Sequence, residues 1–589
     1  MDVRATQVDV FAQDAWRLRP NLTLNYGLRW EWNTPQADAG KRIQAFRPGQ
    51  ATGIYPCALS SSDSLLGSLG SSDCSPQGPG RSVFPLGMVF PGDRGVPSGL
   101  TNNYLRAFAP RLGLAWSPNW SEGWLAKVSG GPGKSSVRLG WGMFYDNSEE
   151  LLENFTAQPP FGGSTSISNA FFNTPFLGQD GSTTPNPFHG FLDPKPGSPV
   201  DFALFRPITL YGNFPDTLRN QYSVHYHVTV QRELSRDTLW QVGYVGSQGH
   251  RLLATLDQNY GNPQTCLDLN QIPGLSCGPF GADNSYSVPA GAIPPGVTLH
   301  LPYGSVPTVT GPNPNPITLV GLRKYSSPLC EPTTGAACPP DGIPVFGSIF
   351  GQMPVANSSY NSFQTLVNQR LSHGLQLLVS YTWSRSTDNA SSFENAVNPI
   401  DPRKSRSLSL FDARHRLAVS EYWRAPDWRI SNWTRHVANG WALSSILTLQ
   451  SGFPIRLSSN SDRELMSSLD FETPGQPNQI APFRRLDPQK SGNYYFDPSS
   501  FVDAPLGQIG NAPRTICCGP GTANLDLGVH KIVALRENKK LEFRTEIFNV
   551  FNHTQFFNPD GNITDGASFG QVSRAQDPRL IQLAVRLTF

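Results

Sequence analysis

The sequence predicts an all-β fold, a transmembrane antiparallel β-barrel of which about thirteen strands are present. Three observations carry this prediction. Apolar and polar residues alternate over segments of about ten residues, the length that crosses a bilayer when tilted, whereas soluble strands average about five or six. The connections between these segments alternate short and long, as in barrels with short periplasmic turns and longer extracellular loops. The chain also ends on such a segment, with an aromatic as its last residue.

In that final segment, Ile581, Leu583, Val585, Leu587 and Phe589 share one face, and Gln582, Ala584, Arg586 and Thr588 share the other. A period of two with one apolar face is a half-buried strand. Termini of soluble domains usually fray, so an apolar last residue on such a strand points to lipid. The other strands follow in pairs. Residues 8–18 turn at Arg19-Pro20-Asn21 into a strand carrying Leu22, Leu24, Tyr26, Leu28, Trp30 and Trp32. Residues 108–117 pair with a strand carrying Val137, Leu139, Trp141, Met143 and Tyr145. Tyr222, Val224, Tyr226, Val228 and Val230 alternate with polar residues and turn into 239–249. Strands at 361–371 and 375–385 are joined by Ser372-His373-Gly374, followed by 414–424 with 441–452. Strands at 524–533 and 541–551 meet at Glu537-Asn538-Lys539-Lys540. Long extracellular loops are expected at about 33–107, 146–217, 250–359, 387–412, 453–523 and 552–577, with irregular structure.

Side-chain chemistry fits two unlike faces. Leu541, Phe543 and Ile547 would face lipid, and Glu542, Arg544 and Glu546 would face the water-filled interior. A charge on the lipid face at mid-membrane costs about 2–4 kcal/mol. Asp14 breaks the pattern by falling on the face of Val8, Val10 and Trp16, and a position near an interface is expected for it. Tryptophans and tyrosines near strand ends, among them Trp16, Trp30, Trp116, Trp383 and Trp423, fit interfacial girdles.

Composition excludes several classes. Charged residues are 15% of the chain, against about 25% in a usual soluble domain. Gly 55 and Pro 53 suit strands joined by long loops and suit a helical protein poorly. No run of about eighteen apolar residues exists, so no transmembrane helix is expected. A net charge of +2 without a Lys/Arg run argues against a nucleic-acid partner. Cys57 and Cys74 share one predicted loop, and Cys266, Cys277, Cys330 and Cys338 share another, which fits loop disulfides in an oxidising compartment. Zinc is the rival reading, but no CxxC pair or interleaved histidine supports it. Cys517 and Cys518 are adjacent in a third loop and are the least readable pair.

No catalytic constellation has an interpretable spacing. Gly130-Gly131-Pro132-Gly133-Lys134-Ser135 lacks the first glycine of a phosphate-binding loop, since Val128 stands there, and a strand follows it, so it reads as a turn. His225 and His227 reach the same side of one strand but lack a third ligand at a defined spacing, so they read as polar interior residues. Asp388, Glu394 and Asp401 lie in one loop as an acid cluster, and a solvated loop explains them equally well. No cofactor and no metal are expected.

Several blocks in order resemble the barrel of Oar-like TonB-dependent receptors. They are Phe11-Ala12-Gln13-Asp14-Ala15-Trp16 with residues 21–31, then Val137 to Asp146, then Gln231-Arg232-Glu233-Leu234 with Tyr244 to His250. Ser380-Tyr381-Thr382-Trp383-Ser384, Phe411 to Arg416, Arg544 to Asn552 and the Phe-ended terminus complete the set. The resemblance implies a barrel of about 22 strands with an internal plug. It also implies uptake of an unidentified small-molecule, glycan or peptide substrate, energised by the TonB complex through that plug. Phe589, with Leu583, Val585 and Leu587, becomes by resemblance the signal read by the barrel-assembly machinery. The N-terminal residues show no signal peptide, TonB box, plug or carboxypeptidase-regulatory-like domain, so the expectation is a truncated chain, from a truncated gene model or a split gene, of an outer-membrane protein. A structural or adhesive surface barrel is the alternative, and a soluble secreted all-β module or enzyme the third.

Overall fold

A computed structural model describes residues 2–59, 66, 73–146, 158–162, 170–171, 173–178, 194–428, 433–468, 475–536 and 539–589. Its main element is one antiparallel meander of thirteen strands in chain order. These are β1 (Gln7–Arg19), β2 (Leu22–Asn33), β3 (Ala107–Trp116), β4 (Ser135–Tyr145), β5 (Tyr222–Ser235), β6 (Thr238–Asp257) and β7 (Phe346–Ser372). They continue with β8 (Leu375–Asp388), β9 (His415–Arg424), β10 (Trp441–Gln450), β11 (Thr522–Arg536), β12 (Lys539–Phe548) and β13 (Leu580–Thr588). Every strand expected from alternation is present. β1 and β13 each pair on one side only among the described residues.

Register explains why alternation was so clear. Trp16, Leu24, Leu114, Leu139, Val228, Tyr244, Phe363 and Trp383 stand opposite one another in a single row across β1 to β8. One residue along, Arg138, Thr229, Gly243, Gln364, Thr382 and Arg416 form a row on the opposite face. A one-residue slip would exchange the two rows, so the apolar row fixes the pairing. Six of its eight members are exposed, Val228 at 42% and Trp383 at 54% among them, as side chains that meet lipid rather than protein would be.

Asp14 is not near an interface. It is the eighth residue of β1, mid-strand, and faces Tyr26 across the ladder. The Tyr26 hydroxyl donates to its Oδ2 at 3.1 Å, which supplies a polar partner on the apolar face.

The six short connections lie at one end of the sheet and the six long ones at the other, as antiparallel order requires. The tightest shows the local logic: His373 (φ 52) and Gly374 (φ 82) are both left-handed, and Ser372 pairs with Leu375. Two positive φ values in a row define the hairpin turn whose twist matches the strands. The turn expected at Glu537-Asn538-Lys539-Lys540 lies partly outside the described residues. Two short-end connections contain short helices, α1 (Gly123–Ser129) and, later in the chain, Thr434–Ala438.

The long connections are packed rather than irregular. One apolar cluster gathers Phe46, Tyr55, Phe90, Phe202, Ile208 and Phe346, from three separate stretches of chain. A second gathers Leu269, Ile272, Val288, Leu299 and Leu319 with Leu465. A third joins Ile455, Phe496 and Phe501 to Phe569. Helix α2 (Pro263–Leu269) starts where it does because Asn262 accepts from the Gln264 and Thr265 amides and proline occupies its first turn. The packed connections form a cap over this end of the sheet and also lengthen it. β6 and β7 run to Asp257 and from Phe346, so the expected 250–359 loop shrinks, and Ile208–Asn213 adds in parallel to β7.

Candidate functional site

The cap over the long-connection end is the one large structure the sequence reading did not foresee, and buried charges hold its parts together. Arg323 is 2% exposed. It donates to both oxygens of Asp283 at 2.6 and 2.9 Å, to Ser348 Oγ at 3.0 Å, and to the Asn259 and Ser467 carbonyls at 2.9 Å. Asp257, also buried, lies 3.5 Å from its Nη1. One guanidinium thereby ties β6, β7 and two different long connections, which its planar fork of donors permits. Arg514 pairs with buried Asp388 and donates to the Ser405 carbonyl at 3.1 Å. Arg206 pairs with Asp341 at 2.6 Å. Asp388 is therefore not in a solvated loop as expected. It ends β8 and is 1% exposed, because the cap closes over it. Asp401 caps the turn Pro402–Ser405 and pairs with Arg403 at 2.9 Å, while Glu394 is exposed.

Disulfides fasten the same cap. Cys57 bonds Cys74, Cys266 bonds Cys277, Cys330 bonds Cys338, and the adjacent Cys517 and Cys518 bond each other. Each bridge is local, closing a short loop within one connection, and the Arg–Asp pairs join the connections to one another.

Two concavities adjoin this framework. A cleft of about 420 Å³ at the base of the cap is lined by Asn33, Gln36, Asn102, Tyr104, Asn220 and Gln221 among others. Gln221 donates to Asp146 at 2.7 Å, and the buried Asn33 Oδ1 has no partner. A hollow of about 820 Å³ lies over β1 to β5 and includes Arg29, Arg111, Phe144, His225 and His227. Arg29 pairs with Asp9 at 2.9 Å and Glu31 at 3.2 Å, and Arg111 stacks 4.7 Å from the Phe144 ring centre. His225 lies 2.9 Å from Ser223 Oγ and edge-on to Phe144, and the His227 ring covers Gly140. Among the described residues no cluster of three or more His, Cys, Asp or Glu forms a metal site.

The other singled-out residues are placed as follows. Glu542, Arg544 and Glu546 share the face opposite Leu541, Phe543 and Ile547, with Arg544 Nε 2.7 Å from Glu542 and His530 facing Arg544 across the ladder. Leu583, Val585 and Leu587 pair with Thr545, Phe543 and Leu541 and are 75%, 65% and 53% exposed. Phe589 lies one residue past the last pair, Thr588 with Lys540, and is 88% exposed. Gly130 to Lys134 form a turn between α1 and β4, which Ser135 begins, with Gly130 at φ 80. Arg323 and Arg514 were not singled out, and no local spacing marks them: Arg323 meets Asp283 and Asp257 at sequence separations of 40 and 66.

Solved structures of low identity resemble this chain. The ferric-catecholate import receptor Fiu of Escherichia coli K12 is 9% identical, with all of this chain matched to 45% of that one at a TM-score of 0.38. The outer membrane transporter YddB of Escherichia coli is 9% identical, with 99% matched to 45% at 0.43. The siderophore receptor PirA of Acinetobacter baumannii is 8% identical, with 99% matched to 46% at 0.40. The chain thus spans less than half the length of these receptors. No curated protein matches the sequence. The family described as outer membrane beta barrel domain matches residues 1–582. With a thirteen-strand meander, one apolar face and all long connections at one end, this chain belongs to the outer membrane beta barrel domain family.

Proposed function

We propose that the chain provides the strand wall and outer cap of a TonB-dependent, Oar-like receptor that takes up a scarce solute across the outer membrane. The observation that supports this most is the packed cap set over a sheet with a polar inner face. A cap held by buried Arg–Asp pairs and disulfides presents fixed polar clefts to the outside, as a selective receptor needs. Glu542, Arg544 and Glu546 face the interior in this reading, and Phe589 with Leu583, Val585 and Leu587 marks the strand for the assembly machinery. The unpaired edges of β1 and β13 need strand partners in lipid, because unsatisfied backbone groups there cost several kcal/mol each. The substrate is a small molecule, glycan or peptide, and energy comes from the TonB complex.

The test compares three strains of the source bacterium: wild type, one lacking this protein and one lacking the TonB partner. Mass spectrometry of spent medium should find the same solute left unconsumed by both mutants. If losing the protein leaves every solute consumed and abolishes only surface attachment, the adhesive reading replaces this one.

A further inference from the structure

Two short-end connections carry exposed aromatic and aliphatic residues on built platforms. In the first, α1 exposes Trp124 (72%) and Val128 (60%). Arg232 on β5 donates to the Lys127 carbonyl at 3.2 Å, Ser135 donates to the Ser129 carbonyl at 2.6 Å, and Trp116 packs edge-on against Trp120. In the second, the one-turn helix Thr434–Ala438, here α3, and its flanks expose Trp428 (52%), Trp433 (72%) and Val437 (58%).

Lys531 fixes that second platform. It stands on the apolar face, opposite Trp441 on one side and Phe543 on the other. Its ammonium does not point into the lipid. It donates to the Val437 carbonyl at 2.9 Å and to the Asn439 carbonyl, and it lies 4.9 Å from the centre of the Trp441 ring. Trp441 Nε1 also donates to the Val437 carbonyl at 2.8 Å, and Asn439 exchanges two bonds of 2.9 Å with the Trp428 backbone. The lipid-facing sheet thus grips the end of α3, so the exposed tryptophans continue the apolar face past the strand ends.

Charge at this end is net positive. The six short connections with their flanking strand residues are 17–22, 116–135, 232–238, 370–375, 424–441 and 536–540. They hold thirteen Lys and Arg against five Asp and Glu, although the whole chain carries only +2. Tryptophan at headgroup depth beside basic side chains is the chemistry of a membrane–water interface, and basic residues near a surface are drawn to anionic lipid.

We propose that α1 and α3 form an anchor that docks on the anionic phospholipid headgroups of the periplasmic leaflet, with Trp124, Trp428 and Trp433 in the headgroup layer. The proposal rests on the reading above only in placing the short connections on the periplasmic side. It fixes the depth of the sheet in the bilayer independently of any transport.

The protein, extracted as it stands in the outer membrane and reconstituted into vesicles of phosphatidylcholine brominated near the acyl carbonyls, tests this. Its tryptophan emission is compared with that of the Trp124→Phe/Trp433→Phe variant, with and without added phosphatidylglycerol. The difference spectrum reports the two loop indoles alone. It should be quenched, and about twofold more strongly with phosphatidylglycerol than without. A Lys127→Gln/Lys134→Gln/Arg435→Gln variant should lose the phosphatidylglycerol dependence and keep the quenching of strand indoles Trp141, Trp240 and Trp383. An unquenched, water-like difference spectrum alongside quenched strand indoles overturns the anchor and leaves the barrel standing. A protease site placed after Gly131 and cut from outside intact cells overturns the orientation instead.

Discussion

Replacing Arg323 by methionine isolates what the buried charges of the cap contribute. Methionine has a similar reach and adds no polar group, so packing changes little. It leaves Asp257 buried without its cation, although the Asn259 and Ile349 amides still donate to that carboxylate at 2.9 and 3.1 Å. It also removes both bonds to Asp283 and leaves the Asn259 and Ser467 carbonyls without that donor. Removing one partner of a buried pair costs about 3–5 kcal/mol. Taking about 3 kcal/mol, the population of opened cap rises roughly 100-fold, at 1.4 kcal/mol per decade. Limited proteolysis reads this directly, because cleavage tracks the open population when opening and closing are fast. New cuts should appear between β6 and β7, while the sheet remains resistant. Adding Asp257→Asn should restore part of the protection, since the stranded charge is then gone. A cleavage rate within about twofold of wild type would refute the claim that Arg323 clasps the cap.

Three further outcomes follow from the same structure. Asp38 sits in the long connection after β2; burial opposes its ionisation, but hydrogen bonds from the Arg42 side chain and from the Arg42 and Asp2 amides win and hold its carboxyl at about 2. Its stabilisation is therefore complete above pH 4 and lost as pH falls towards 2. Asp38→Asn should weaken hydrogen-exchange protection around residues 37–42 by about 2 kcal/mol at pH 7 and by less than about 0.5 kcal/mol near pH 2. At Gly561, an added Cβ would lie 1.7 Å from the Arg456 carbonyl oxygen, so Gly561→Ala should cost about 1–3 kcal/mol and loosen the junction of the last two long connections, seen as faster proteolysis there. Phe589 lies beyond the ladder, so its deletion should leave the thermal stability of assembled protein unchanged and lower the amount reaching the outer membrane; equal surface display would count against its role as a signal.

The thirteen strands were legible because one face meets lipid and the other does not, which writes a period of two into the sequence. The pattern fails where that contrast fails. Residues 253–257 and 346–353 are still strand, but the cap buries Leu253, Ala254, Phe346, Ile349 and Phe350, so neither face has to be polar. The cap itself was invisible because its cores join residues far apart in sequence: Phe46 with Phe346, and Leu299 with Leu465. The bridges Cys57–Cys74, Cys266–Cys277 and Cys330–Cys338 each join cysteines close in sequence, so unlike the apolar cores they leave a local mark in the chain. Asp388 was misread because its partner Arg514 lies 126 residues away. α1 and α3 span seven and five residues, too short to show helical periodicity.

Paired charge insertion on neighbouring residues of β5 tests the central claim, that one face of this sheet meets lipid and the other meets water. Val228 lies mid-strand on the apolar row, and Thr229 beside it lies on the opposite face. Val228→Arg should cost about 2–4 kcal/mol and sharply reduce folded protein in the outer membrane, while Thr229→Arg should be tolerated. Equal yields for the two variants, or a greater loss from Thr229→Arg, would contradict the account.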